Sequence, residues 1–236
     1  MTPRFVYFDL DDTLLDHRRA ERAALADVHA HYADHVGHHD LAHVQATYHA
    51  HNVPLWRDYG AGRITATDLK RLRSERLLTA LGATGLDPVA FSDAYLSRYA
   101  RHWHWLDGAR DAYHRIADAL PVGILTNGFR EQQTAKLASL PEIADRAATV
   151  VISEDVGAMK PHPEVFAYAT RSASEALGTA LVPSDVLYVG DSYHSDVVGG
   201  TGYGWRVAWL GGDPDRSRDG TTVTPTWPDV LALLGL

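Results

Sequence analysis

The sequence predicts an α/β fold: a doubly wound parallel sheet with an all-α segment inserted after its first strand. Three observations predict it. Five short apolar runs lack strict alternation, as parallel strands covered on both faces do. Amphipathic stretches of helix length separate the later runs. A long segment after the first run carries helical patterning and no good strand.

The runs are Phe5–Phe8, Val122–Leu125, Thr149–Ile152, Val186–Val189 and Arg206–Leu210. Helices are expected at Ala109–Ala119, Glu131–Leu140, Pro163–Leu177, Ser195–Gly202 and Pro228–Leu234. The polar, Gly- and Pro-punctuated stretch Gly211–Pro228 reads as a surface loop. Within the insert, helices are expected at Arg18–His35, Leu41–Tyr59, Thr65–Leu81 and Pro88–Trp103. Thr65 and the Asp87-Pro88 pair supply start signals. Residues 1–15 and 108–236 would then form the core domain, and residues 16–107 a helical cap domain.

Composition narrows the function classes. Apolar residues make up 45% and charged residues 22% of 236, the balance of an ordinary soluble protein. No stretch has the roughly 18–20 apolar residues of a membrane span, and no leader pattern precedes Phe5. A cytoplasmic location is expected. The absence of cysteine excludes disulfides, thiolate catalysis and Cys-based zinc sites. A formal net charge of −8 speaks against binding nucleic acid polymers.

The chemistry lies just past the strands. Strand 1 runs into Asp9-Leu-Asp11-Asp-Thr13, and strand 2 into Thr126-Asn127-Gly128. Lys160-Pro161 follows strand 3, and Gly190-Asp191 ends strand 4 with Asp196 behind it. In an open parallel sheet, ligands bind outside the carboxyl ends of the strands, so these clusters converge. Several carboxylates held together call for a cation. Oxygen donors without His or Cys suit a hard ion such as Mg²⁺. A cation and neutral donors beside an Asp suit phosphoryl transfer through an aspartyl-phosphate.

Other readings fall away. An EF-hand needs Gly where Leu14 stands and Glu where Ala20 stands. No P-loop motif is present. Lys160 stands out in a chain with three lysines and 19 arginines, and a compact ammonium suits a crowded phosphate site. His31, His35, His39 and His43 are spaced for one helical face, read here as solvated positions rather than a metal site. His17 is a candidate for the substrate pocket. Trp103 and Trp105 read as packing where the insert rejoins the core, and Gly199–Gly204 as a tightly packed helix end.

In order and spacing, these motifs resemble the haloacid dehalogenase superfamily, whose core is Rossmann-like. Asp9-Leu-Asp11-Asp12-Thr13 matches motif one, Thr126-Asn127 motif two, Lys160 motif three, and Gly190-Asp191 with Asp196 motif four. Several stretches are similar to the bacterial pyrimidine 5′-nucleotidase branch: Phe8–Leu14, Leu125–Gly128 with Gln132 and Lys136-Leu137, Ile152–Gly157, and Leu55–Tyr59. The resemblance implies Asp9 as nucleophile, Asp11 as general acid and then base, and Thr13 bracing the loop around Asp11. Thr126, with amides at Asn127 and Gly128, would hold phosphate, and Lys160 would separate Asp9 from it. Mg²⁺ would be held by Asp9, Asp191 and the Asp11 carbonyl, with Asp196 behind the metal site or Lys160. The implied substrate is a small phosphate monoester, a nucleoside 5′-monophosphate in the first reading. A sugar-phosphate phosphatase or a phosphomutase is the alternative. A 2-haloacid dehalogenase fits less well, because such enzymes lack the acid found at Asp11. A monomer or homodimer is expected.

Overall fold

A computed structural model describes residues 2–83 and 85–236. The chain forms two compact units, Met1–Asp16 with His104–Leu236, and His17–Trp103.

The first unit is built on a six-stranded parallel sheet in the order β3-β2-β1-β4-β5-β6. The strands are β1 (Phe5–Phe8), β2 (Val122–Thr126), β3 (Ala147–Ile152), β4 (Val186–Gly190), β5 (Arg206–Leu210) and β6 (Thr221–Thr224). Of the four inner strands, β1, β2 and β4 are buried throughout, which is why they read as unbroken apolar runs. Helices Ala109–Ala119 and Trp227–Leu234 cover one face with a core containing Phe8, Tyr113, Ile116 and Val230. Helix Pro163–Leu177 covers the other with Tyr7, Phe166, Tyr188 and Trp205. Burial of this apolar surface, at about 25 cal/mol per Å², is the main force holding the layers.

Two expectations are corrected. The stretch Gly211–Pro228 is not all loop, because Thr221–Thr224 pairs in parallel with β5. Its sequence, Thr-Thr-Val-Thr, is β-branched but polar, as suits an edge strand with one neighbour. The helix expected at Ser195–Gly202 is instead a π-helical turn, Tyr193–Val198, running into the short helix Gly199–Tyr203.

Register aligns the strand ends. Phe8 of β1 is level with Ile124 of β2 and Val189 of β4. Asp9, Thr126 and Asp191 therefore leave the sheet at one edge. After β3 the chain crosses to the far side of β1, so the order reverses between β1 and β4, where open α/β sheets bind ligands.

The second unit is helical, with its main helices at His17–His31, Leu41–Gly60, Ala66–Ala80 and Pro88–Tyr99. Asp40 and Asp87 cap two helix starts, and Thr65 with Asp68 forms a capping box at a third. Leu25, Val28, Tyr48, Leu77, Phe91 and Tyr95 pack in its core. The four evenly spaced histidines do not share a helix: His31 ends one, His35 lies in the short helix Ala33–Val36, His39 in a turn and His43 in Leu41–Gly60. His39 instead bonds the Leu81 carbonyl at 2.7 Å. His17 bonds the Tyr99 hydroxyl at 2.7 Å, within this helical unit. No helix among the described residues is long and apolar enough to cross a membrane.

Candidate active site

Asp9 follows β1 directly, held by its amide to the Val189 carbonyl of β4 at 2.9 Å. The next residues fold tightly: the amides of Leu14 and Leu15 return to the Leu10 carbonyl, and Asp12 adopts a left-handed conformation, φ 56°. Asp tolerates that region better than most residues. The turn turns Asp9, Asp11 and Thr13 inward rather than continuing the strand.

Asp9 Oδ1 accepts from its neighbour's amide, Leu10 N, at 2.8 Å and from the Lys160 ammonium at 2.9 Å. No hydrogen bond reaches Asp9 Oδ2 among the described residues. Lys160 also donates to Asp196 Oδ1 at 2.9 Å and to the Tyr188 hydroxyl. Asp196 is fully buried, and its other oxygen accepts from the Ser192 amide at 2.9 Å. A Cβ at Gly190 would land on that carboxylate, so glycine is what lets Asp196 sit under the end of β4.

Burial drives the local electrostatics. Asp9 is pushed up to about 7, first by burial, then by the Asp196 and Asp11 charges, while Lys160 pulls it back. Burial disfavours the Lys160 charge, but Asp196 and Asp9 outweigh it and hold the ammonium above its usual range. Tyr188 is held well above the usual phenol range by burial and the same carboxylates, so it keeps its proton and donates to the Leu125 carbonyl at 2.9 Å.

Asp9, Asp191 and Asp196 bring carboxylate oxygens within 4.8 Å of one another. Both Asp196 oxygens are engaged, which leaves Asp9 and Asp191 as the side chains able to hold an ion. Thr13 is buried and donates to Asp191 Oδ1 at 3.4 Å. The Trp209 indole fixes the Asp191 carbonyl at 2.8 Å. Four carboxylates (Asp9, Asp11, Asp191, Asp196) face two ammonium groups (Lys136, Lys160), an excess of negative charge that fits a hard cation.

The Asn127 side chain bonds the main chain of Lys160. The Gly128 amide donates to Ser153 Oγ at 3.3 Å. Thr126 is fully buried, and its hydroxyl accepts from Gln133 Nε2 at 2.8 Å.

Gln133 and Lys136 are residues that sequence reasoning missed in this role. Both lie on the buried side of the helix Arg130–Ser139. Lys136 Nζ contacts both Asp11 oxygens, at 2.6 and 2.7 Å. Gln133 Nε2 donates to Asp11 Oδ2 at 3.0 Å and to the Asn127 carbonyl at 3.1 Å. A signal was present: of the chain's three lysines, two enter this one cluster.

Comparison with known proteins agrees with the geometry. The chain is 33% identical over 180 residues to the pyrimidine 5′-nucleotidase YjjG of Escherichia coli, covering 76% of this chain and 75% of that protein. It is 27% identical over 212 residues to the glyceraldehyde 3-phosphate phosphatase of Pyrococcus furiosus, covering 88% and 80%. The crystal structure of the HAD-hydrolase YfnB of Bacillus subtilis superposes with a TM-score of 0.85 over the whole of both chains, at 24% identity, and so shares the fold. The family model for haloacid dehalogenase-like hydrolases matches residues 3–204, and the protein belongs to that family of hydrolases.

Proposed function

We propose that this protein is a Mg²⁺-dependent phosphatase of small phosphate monoesters, acting through a phosphoaspartate on Asp9, with nucleoside 5′-monophosphates as preferred substrates. The observation that carries this reading is the pairing of Asp9 Oδ1 with Lys160 at 2.9 Å, which leaves Oδ2 without a hydrogen bond and turned to no other partner among the described residues. A carboxylate so held can attack phosphorus with one oxygen while the other stays anchored.

In the first half-reaction, Asp9 Oδ2 bonds to phosphorus as the ester P–O bond breaks, and Asp11 gives a proton to the leaving oxygen. In the second, Asp11 takes a proton from water as the water oxygen bonds to phosphorus and the Asp9–phosphorus bond breaks. Lys160 offsets the charge of nucleophile and phosphate brought together, and its fixed place spares reorganisation during the reaction. Mg²⁺ would be held by Asp9, Asp191 and the Asp11 carbonyl, and would supply further charge neutralisation at the phosphate.

The nucleotide preference is supported by the similarity to the E. coli nucleotidase. The similarity to the glyceraldehyde 3-phosphate phosphatase of Pyrococcus furiosus supports sugar phosphates as a second reading. The test is phosphate release over a panel of pyrimidine and purine 5′-monophosphates and sugar phosphates, with and without EDTA, for the wild type and Asp9→Asn. Activity on nucleotides that is lost with EDTA and in Asp9→Asn is expected. Turnover by Asp9→Asn at the normal rate would overturn the nucleophile, and indifference to EDTA the metal.

A further inference from the structure

Lys136 is a lysine with an almost fully buried head, on a helix, in a chain that uses arginine nearly everywhere else. Burying an ammonium is costly, and its partner Asp11 keeps 26% of its side chain exposed, where an ion pair adds little to stability. The pair is therefore poorly explained as a prop for the fold. Its geometry is specific: the ammonium straddles both oxygens of Asp11, and Gln133, one helical turn earlier, adds a third hydrogen bond, to Oδ2.

Gln133 is itself gripped. Its amide spans Asp11, Thr126 and the Asn127 carbonyl. At Gly128, φ 154°, an added Cβ would strike the Gln133 side chain, so the loop after β2 closes directly onto it. One helix face thus ties the turn after β1 to the turn after β2. Lys160, by contrast, serves Asp9 and Asp196.

We propose that Lys136 and Gln133 are positioning residues for Asp11, holding its carboxyl where it exchanges a proton with the leaving-group oxygen. The inference rests on the phosphatase reading and adds a division of labour: one lysine places the nucleophile, the other places the acid. Proton donation matters most when the leaving group is a poor one, an alkoxide, and little when it is a stable phenolate.

The test compares Lys136→Met and Gln133→Met on two substrates, a nucleoside 5′-monophosphate and 2,4-dinitrophenyl phosphate, with Asp11→Asn as reference and circular dichroism to follow the fold. Both variants are expected to lower kcat/KM on the nucleotide by about 10²-fold, the usual scale of acid–base assistance, and on the dinitrophenyl ester by no more than a few fold. Lys136→Arg should recover part of the nucleotide activity. Equal losses on both esters, or no loss on the nucleotide, would overturn the positioning role. A wild-type enzyme that hydrolyses neither ester would overturn the phosphatase reading itself, which separates the two failures.

Discussion

Asn127 and Lys160 exchange two hydrogen bonds: Asn127 Nδ2 donates to the Lys160 carbonyl at 2.9 Å, and the Lys160 amide donates to Asn127 Oδ1 at 2.8 Å. The loop after β2 thereby sets the main chain from which the Lys160 ammonium reaches Asp9. Asn127→Ala removes both bonds and leaves two partly buried main-chain groups unpaired. The expected cost is about 1–2 kcal/mol, or a Tm lower by roughly 2–8 °C for a chain of this size. Displacement of Lys160 should also lower kcat by about 10²-fold. An unchanged Tm with a raised KM alone would instead make Asn127 a ligand-side donor.

How much was legible in the sequence depended on where a residue stands. β1, β2 and β4 were readable because strands buried on both faces must be apolar, and their ends carry the polar residues of the site. β6 was not, because an edge strand of threonines lacks the apolar run that marks an inner one. Asp9, Asp191 and Lys160 were found as the residues just past strands. Lys136 and Gln133 reach the same place from a helix face, where a polar side chain usually means solvent. Tyr188 stayed hidden for the opposite reason: inside Val-Leu-Tyr-Val-Gly it reads as core, and its hydroxyl bonds Lys160 from within the sheet.

Cation affinity should depend on pH through Asp9. Burial, with the Asp196 and Asp11 charges, raises its carboxyl to about 7 against the pull of Lys160. Below that pH the metal-free site holds a proton that a bound cation must displace; above it the carboxylate is already bare. Mg²⁺ affinity should therefore be level above pH 7 and fall by up to about tenfold per pH unit below it. Titration calorimetry with MgCl₂ in two buffers of different ionisation enthalpy reads both the affinity and the proton released. Equal affinity at pH 6 and pH 8, with no proton release, would show that Asp9 is not the group displaced.

The alkaline limit of the fold should be set by buried phenols. Burial raises Tyr48 to about 12 and pushes Tyr7, Tyr95, Tyr113 and Tyr188 up as well, from an unfolded value of about 10. Tyr7 and Tyr113 are also committed as donors, to the Ala169 carbonyl at 2.7 Å and the Ile143 carbonyl at 2.6 Å. Above pH 10 the unfolded chain releases these protons while the folded chain keeps them. Stability is thus undiminished by these groups below pH 10 and declines as pH rises from there through the folded values. Of the 11 tyrosines, these five should ionise only as the fold gives way. A pH titration of tyrosinate absorbance should show a late step that coincides with the loss of circular dichroism. Ionisation of all the tyrosines in a single step near pH 10, with the dichroism intact, would contradict the tight burial of these rings.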